Sequence, residues 1–176
     1  MNETKASAFI QRLASLADDK RKDRAALAML RRSLAFEPGS HVPSFPVVEP
    51  WLDREEGWQR EVYYLVAGLF ALDPRQGPLS FAEAMAALYR RRQSGSIEAR
   101  FLALLDADRD QLPDRLRRCV YLIRTEEGPG LDWAALLSDL LGWFHPDHPV
   151  QRRWARMFYR SIQEGDETQS KEGDQP

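Results

Sequence analysis

The 176-residue chain is long enough for one substantial core or two small helical lobes, and a 43% hydrophobic content with five Trp, five Tyr and eight Phe excludes general disorder. The net charge of −2 conceals a pattern: residues 164–176 hold Glu164, Asp166, Glu167, Glu172 and Asp174 against Lys171, a net −4, which leaves the body at +2. Cys119 stands alone, so neither an internal disulfide nor a cysteine-based metal site is available; no apolar run approaches the ~18 residues of a membrane span, and MNETKASAFIQRL lacks a signal-peptide core. The expectation is a soluble, cytoplasmic protein with no membrane partner.

Helical spacing dominates from the first residues. Phe9, Ile10, Leu13 and Leu16 form one amphipathic stripe, and Leu27, Leu30 and Leu34 a second that stops near Phe36, before Glu37-Pro38-Gly39. Pro43, Pro46 and Pro50 favour extended backbone in the connection that follows. Asp53 with Glu56, and Ser80 with Glu83, have the spacing of capping boxes; the first opens a helix to Leu72, ended by Asp73-Pro74, and the second a helix to about Arg92. Ser94-Gly95-Ser96 then suggests a lobe boundary near 93–96. Ile97 to Leu105 makes a short helix, Pro113 fits the first turn of the next, Asp132 caps another that Pro146 ends, and Pro149 starts the last, which fades near Gln163. With no alternating β-branched run, the predicted class is all-α: a bundle of about seven to nine helices over residues 1–163, followed by a disordered acidic tail over 164–176.

Arginines are the chemistry this chain offers. On the last helix Val150, Trp154, Met157, Phe158 and Ile162 span an arc of roughly 140°, while Arg152, Arg153, Arg156 and Arg160 fall within roughly 100° on the opposite side. No acid interrupts that face, whereas ordinary exposed helices mix signs to form i,i+4 pairs. The helix from Pro113 turns Leu116, Cys119, Val120 and Ile123 inward, with arginines in the RLRR run (115–118) and at Arg124 on its flanks. In the second helix Arg24, Arg31 and Arg32 fill the gap between the leucine stripe and a second apolar face formed by Met29 and Phe36. A planar guanidinium fork suits phosphate oxygens, and several in a row match a backbone of regularly spaced charges. The alternative for each face is a solvated, salt-bridged surface.

Catalytic and metal motifs are weak. Asp106, Asp108 and Asp110 open like a calcium loop, but Gln111 stands where Gly is needed and Arg117 where a bidentate Glu is needed. His145 and His148 lack the i,i+4 spacing of a zinc pair and read as turn residues, and Cys119 reads as a small core residue. There is no P-loop, no dinucleotide glycine pattern and no nucleophile elbow, so no enzyme, no metal and no cofactor is expected.

Three blocks carry a resemblance: RAALAMLRRSL (24–34), SIEARFLALLDADRDQLPDRLRRCVYLI (96–123) and LDWAALLSDLLGWFHPDHPVQRRWARMFYR (131–160). In this order they resemble the small subunit (CasB) of the type I-E CRISPR interference complex, Cascade. The resemblance implies an all-helical, non-enzymatic subunit present as two copies along a guide-RNA ribonucleoprotein, with the other Cascade subunits, guide RNA and target DNA as partners. By position it implies nucleic-acid contacts at Arg24, Arg31 and Arg32, at Arg115, Arg118 and Arg124, and at Arg152, Arg153 and Arg156. Two readings compete with it. A free-standing helical DNA-binding regulator would need residues aimed at base edges, and a protein-interaction adaptor would use the apolar and proline-rich surfaces.

Overall fold

The computed structural model describes residues 2–18 and 23–172. It is all-α, as the sequence predicts: α1 (Asn2–Ala17), α2 (Arg24–Ser33), α3 (Phe45–Val48), α4 (Gly57–Leu72), α5 (Phe81–Arg92), α6 (Gly95–Leu105), α7 (Leu112–Arg124), α8 (Trp133–Leu141) and α9 (Pro149–Glu172), with one short strand, β1 (Gln76–Leu79). The chain forms two compact units, neither continuous in sequence: Met1–Pro78 with Pro129–Phe144, and Leu79–Gly128 with His145–Pro176. The lobe boundary expected at 93–96 is therefore displaced. Inside the second unit Gln93 adopts a left-handed conformation (φ 47°) and donates its N–H to the Tyr89 carbonyl at 2.8 Å, closing α5, and Gly95 opens α6 two residues later.

The first unit is built on α4, whose residues from Val62 to Ala71 are buried on every side, as a helix surrounded by neighbours requires. Helices α1, α2 and α8 pack around it. Gly68 makes the α2–α4 approach possible, since a Cβ there would stand 2.6 Å from Leu34 Cδ2 and 3.2 Å from the Leu30 carbonyl. Buried indoles tie distant segments together: Trp58 Nε1 donates to the Leu140 carbonyl (2.7 Å) and Trp133 Nε1 to the Arg75 carbonyl (3.0 Å). Beside them Gly77 and Gly130 touch backbone to backbone, joining β1 to the entry of α8.

Two local expectations fail in this unit. The proline-rich connection is not extended; it folds into two short 3₁₀ turns (Val42–Ser44 and Glu49–Trp51) around α3, each with a proline in its first two positions, where the missing N–H would have had no partner anyway. The capping box at Asp53/Glu56 does not form. Glu55 accepts the Asp53 N–H (2.7 Å) and the Arg54 N–H (3.1 Å), Lys5 holds Asp53 (2.9 Å) and Glu55, and Gly57, at φ 54°, starts α4 without a side-chain cap.

The second unit centres on the α5–α9 pair. Here the predicted box is present: Ser80 Oγ accepts the Glu83 N–H (3.3 Å) and Glu83 accepts the Ser80 N–H (2.9 Å). Phe81 stacks on Trp154 (centroids 4.8 Å) and Phe101 on Phe158 (4.3 Å), so α9 is anchored through its apolar arc. The last helix spans Pro149–Glu172, past the end expected near Gln163. Residues 173–176, the end of the acidic segment, lie outside the described residues.

Candidate nucleic-acid interface

Each arginine face is carried by a helix whose opposite side is anchored. On α2, Asp23 accepts the Ala26 N–H at 2.9 Å and fixes the start, and Leu27, Leu30 and Ser33 are buried. Arg24, Arg31 and Arg32 are exposed, and their guanidinium groups make no ion pair or hydrogen bond among the described residues. The second apolar face expected beside them is only partly covered, with Met29 half-buried. Phe36 is 48% exposed, lying against the His41 ring with centroids 4.9 Å apart. Lys20, Arg21 and Lys22 lie outside the described residues.

On α7 the three candidates part company. Arg115 is half-buried and donates to the Ala103 carbonyl near the end of α6, which makes it a tie between two helices. Arg118 is exposed but held by Asp114 at 2.7 Å, with Arg117 on the same carboxylate at 2.7 Å. Exposed ion pairs of this kind are worth ~0–1 kcal/mol, so phosphate can displace the carboxylate at little cost. Arg124 is exposed, with no partner among the described residues.

On α9, Val150, Trp154 and Phe158 are buried and Met157 and Ile162 half-buried, as the arc requires. Arg152, Arg153, Arg156 and Arg160 are exposed; Arg152, Arg156 and Arg160 have no side-chain partner among the described residues. These three succeed one another at i,i+4, a like-charge arrangement that costs ~0.2–0.5 kcal/mol per pair in an isolated helix. A polyanion laid along the helix turns that cost into attraction. The spacing reading missed the end of α5. Arg92 reaches Glu126 (2.6 Å) and Thr125 Oγ1 (2.8 Å), Arg91 the Glu127 carbonyl and Arg90 the Ser161 carbonyl. Their partners lie more than 30 residues away, so no local pattern could announce them.

The remaining reactive groups are accounted for structurally. Burial pushes the Cys119 thiol up to about 12, which leaves it protonated at neutral pH. Asp108 accepts the Gln111 N–H at 2.8 Å and shapes the turn into α7; His145 faces Asp147 at 3.8 Å on an exposed turn, where His148 has φ 47°. Among the described residues no three His, Cys, Asp or Glu side chains converge as metal ligands, and no helix is long and apolar enough to cross a membrane. A pocket in the first unit, lined by Ser7, Gln11, Gln76, Gly77 and Asp132, offers a single carboxylate, and that one caps α8 through the Ala135 N–H.

Exposed arginine faces are therefore the feature that the described residues of this all-α protein offer for binding. Residues 26–159 match the family model of the CRISPR-associated protein Cse2. A CRISPR-associated Cse2 of Thermus thermophilus is 49% identical over 137 residues, covering 77% of this chain and 79% of its own. The crystal structure of M. ruber CasB superposes with a TM-score of 0.79 at 38% identity, over 93% of this chain and 97% of that one. The chain belongs to the Cse2 family. A subunit of a CRISPR RNA-guided surveillance complex shares the fold alone: TM-score 0.80 at 23% identity, over 99% of this chain and 100% of that one. The family match begins after Arg24 and includes the other eight candidate arginines.

Proposed function

We propose that this chain is the small, non-catalytic subunit of a CRISPR RNA-guided surveillance complex, and that its arginine faces hold the phosphate backbone of the R-loop. In an R-loop the guide RNA pairs with one DNA strand and displaces the other. Pairing supplies the sequence recognition, so an accessory subunit needs phosphate contacts and no base readout. Exchange of a DNA duplex for an RNA–DNA heteroduplex is nearly balanced, and a few charge contacts tip it. The observation that carries the reading is the run Arg152, Arg156 and Arg160 on α9, three exposed guanidinium groups one helical turn apart with no acid between them. The partners are the other complex subunits, guide RNA and target DNA, with two copies of this chain side by side. Gln151 argues against a free-standing regulator: it is the amide on α9 best placed among the arginines to read adenine, and it is buried.

Co-expression of the tagged chain with the large and backbone subunits and a guide RNA tests this directly. Recovery of one complex, whose R-loop dissociates faster when this subunit is left out, is the expected result. Failure to co-purify, or an R-loop lifetime indifferent to the subunit, refutes it.

A further inference from the structure

On the face of α7 turned away from the core stands Tyr121, 55% exposed and with no hydrogen bond or ring contact among the described residues. An exposed aromatic alone means little, but this one has arginines one helical turn before it and one turn after it. Helical geometry places Arg117 and Arg118 one turn before it and Arg124 and Thr125 one turn after it. Thr125 in turn holds the Arg92 guanidinium, which shares Glu126 with Arg91. Along this face Arg117, Arg118 and Arg124, with Arg92 held at Thr125, set four arginines against Asp114 and Glu126, a local net charge of +2. Arg117 and Arg118, both paired with Asp114, precede the exposed ring by one turn, and Arg124 follows it by one.

A duplex presents phosphates but keeps its bases stacked inside; an unpaired strand presents both. A flat π-face between phosphate donors therefore complements the strand with free bases, at ~1–3 kcal/mol per stacked base. We infer that Tyr121 is a stacking platform for an unpaired nucleotide, and that the α7 face selects single-stranded nucleic acid over duplex. This rests on the nucleic-acid role proposed above and adds to it the state of the strand and the residue that reads it.

The test measures binding of the full-length chain at low salt to a labelled 30-nucleotide oligothymidine, to an abasic sugar–phosphate strand of equal length and to a duplex. Stacking requires Tyr121→Ala to weaken oligothymidine binding by about five- to 150-fold, the equivalent of ~1–3 kcal/mol, with the loss confined to the base-bearing single strand and the salt slope unaltered. Tyr121→Trp, which restores a π-face, should recover the affinity. Arg124→Ala, by contrast, should weaken both single strands and lower the slope. Matching melting curves show that the variants fold. The inference is overturned if Tyr121→Ala binds oligothymidine as well as the parent does; the phosphate reading then stands without it. If Tyr121→Ala instead turns a dimer into a monomer by sedimentation with strand binding intact, a second copy covers this face and stacking is likewise refuted. Absence of binding to any strand at low salt removes both the inference and the proposed function.

Discussion

Replacing Arg152, Arg153 and Arg156 together with Ala separates charge from scaffold more cleanly than any other change in this chain. The three side chains are exposed, and the helix beneath them is anchored by Trp154, 1% exposed and stacked on Phe81, and by Phe158. Stability should change by about 0.5 kcal/mol or less per site, since Ala is the best helix former and the substitution removes the Arg152–Arg156 repulsion. Binding should change far more. For a single strand each neutralised phosphate contributes a log–log salt slope of about −0.7, so three contacts contribute about −2. Relative to 1 M salt, each contact at 0.1 M is worth a factor of about five and the three together about 100; at 0.3 M the combined factor shrinks to about 10.

Fluorescence anisotropy of a labelled oligothymidine across that salt range reads both the affinity and the slope. The defect should be greatest at low salt and narrow as salt rises, the signature of lost counterion release. Trp154→Ala supplies the contrast, a core truncation expected to cost about 3–5 kcal/mol and to lower the melting temperature sharply. If the triple variant keeps the parent's slope and affinity, the α9 face is merely solvated, and Arg24, Arg31 and Arg32 on α2 become the face to test.

Three further outcomes follow from particular contacts. Gly77→Ala puts a Cβ 2.4 Å from the Gly130 carbonyl oxygen and 2.6 Å from its nitrogen, a backbone clash that should cost about 1–3 kcal/mol in a thermal melt, whereas Gly95→Ala meets nothing within 4 Å and should be silent or slightly stabilising. Because the folded Cys119 thiol holds its proton up to about 12 while the unfolded thiol titrates near 9, its share of stability is intact below pH 9 and falls by up to ~1.4 kcal/mol per pH unit above it. A pH series of denaturation curves should therefore decline less steeply for Cys119→Ala, and iodoacetamide at pH 8 should label the parent only after unfolding. Ending the chain at Glu164 removes Asp166, Glu167, Glu172 and Asp174 with Lys171, a net −3 without an apolar side chain, so the melting temperature should hold and nucleic-acid affinity should rise; a marked fall in melting temperature would show that this segment supports the fold.

How much of this was legible beforehand depended on how far each partner lay along the chain. Ser80 with Glu83 and Asp53 with Glu56 have the same spacing, but only the first becomes a box, because Glu55 takes the backbone N–H groups and Lys5, some 50 residues earlier, fixes the carboxylates. The two-unit division was invisible for the same reason. It depends on Gly77 meeting Gly130 and on Trp133 reaching Arg75, contacts between stretches that say nothing to each other in the sequence. The arginines follow the same rule at finer grain. Periodicity assigns them to outer faces, yet outward is not the same as free: Arg115 donates to a carbonyl of another helix, while Arg118 pairs with Asp114, four residues before it on the same helix. Arg152 and Arg156 are the opposite case. No acid stands within four positions of either, so the helix itself cannot neutralise them, and the burial of Trp154 and Phe158 forbids the helix to turn them inward. Where both conditions hold, a sequence can specify an unpaired charge as firmly as it specifies a core, and α9 meets both.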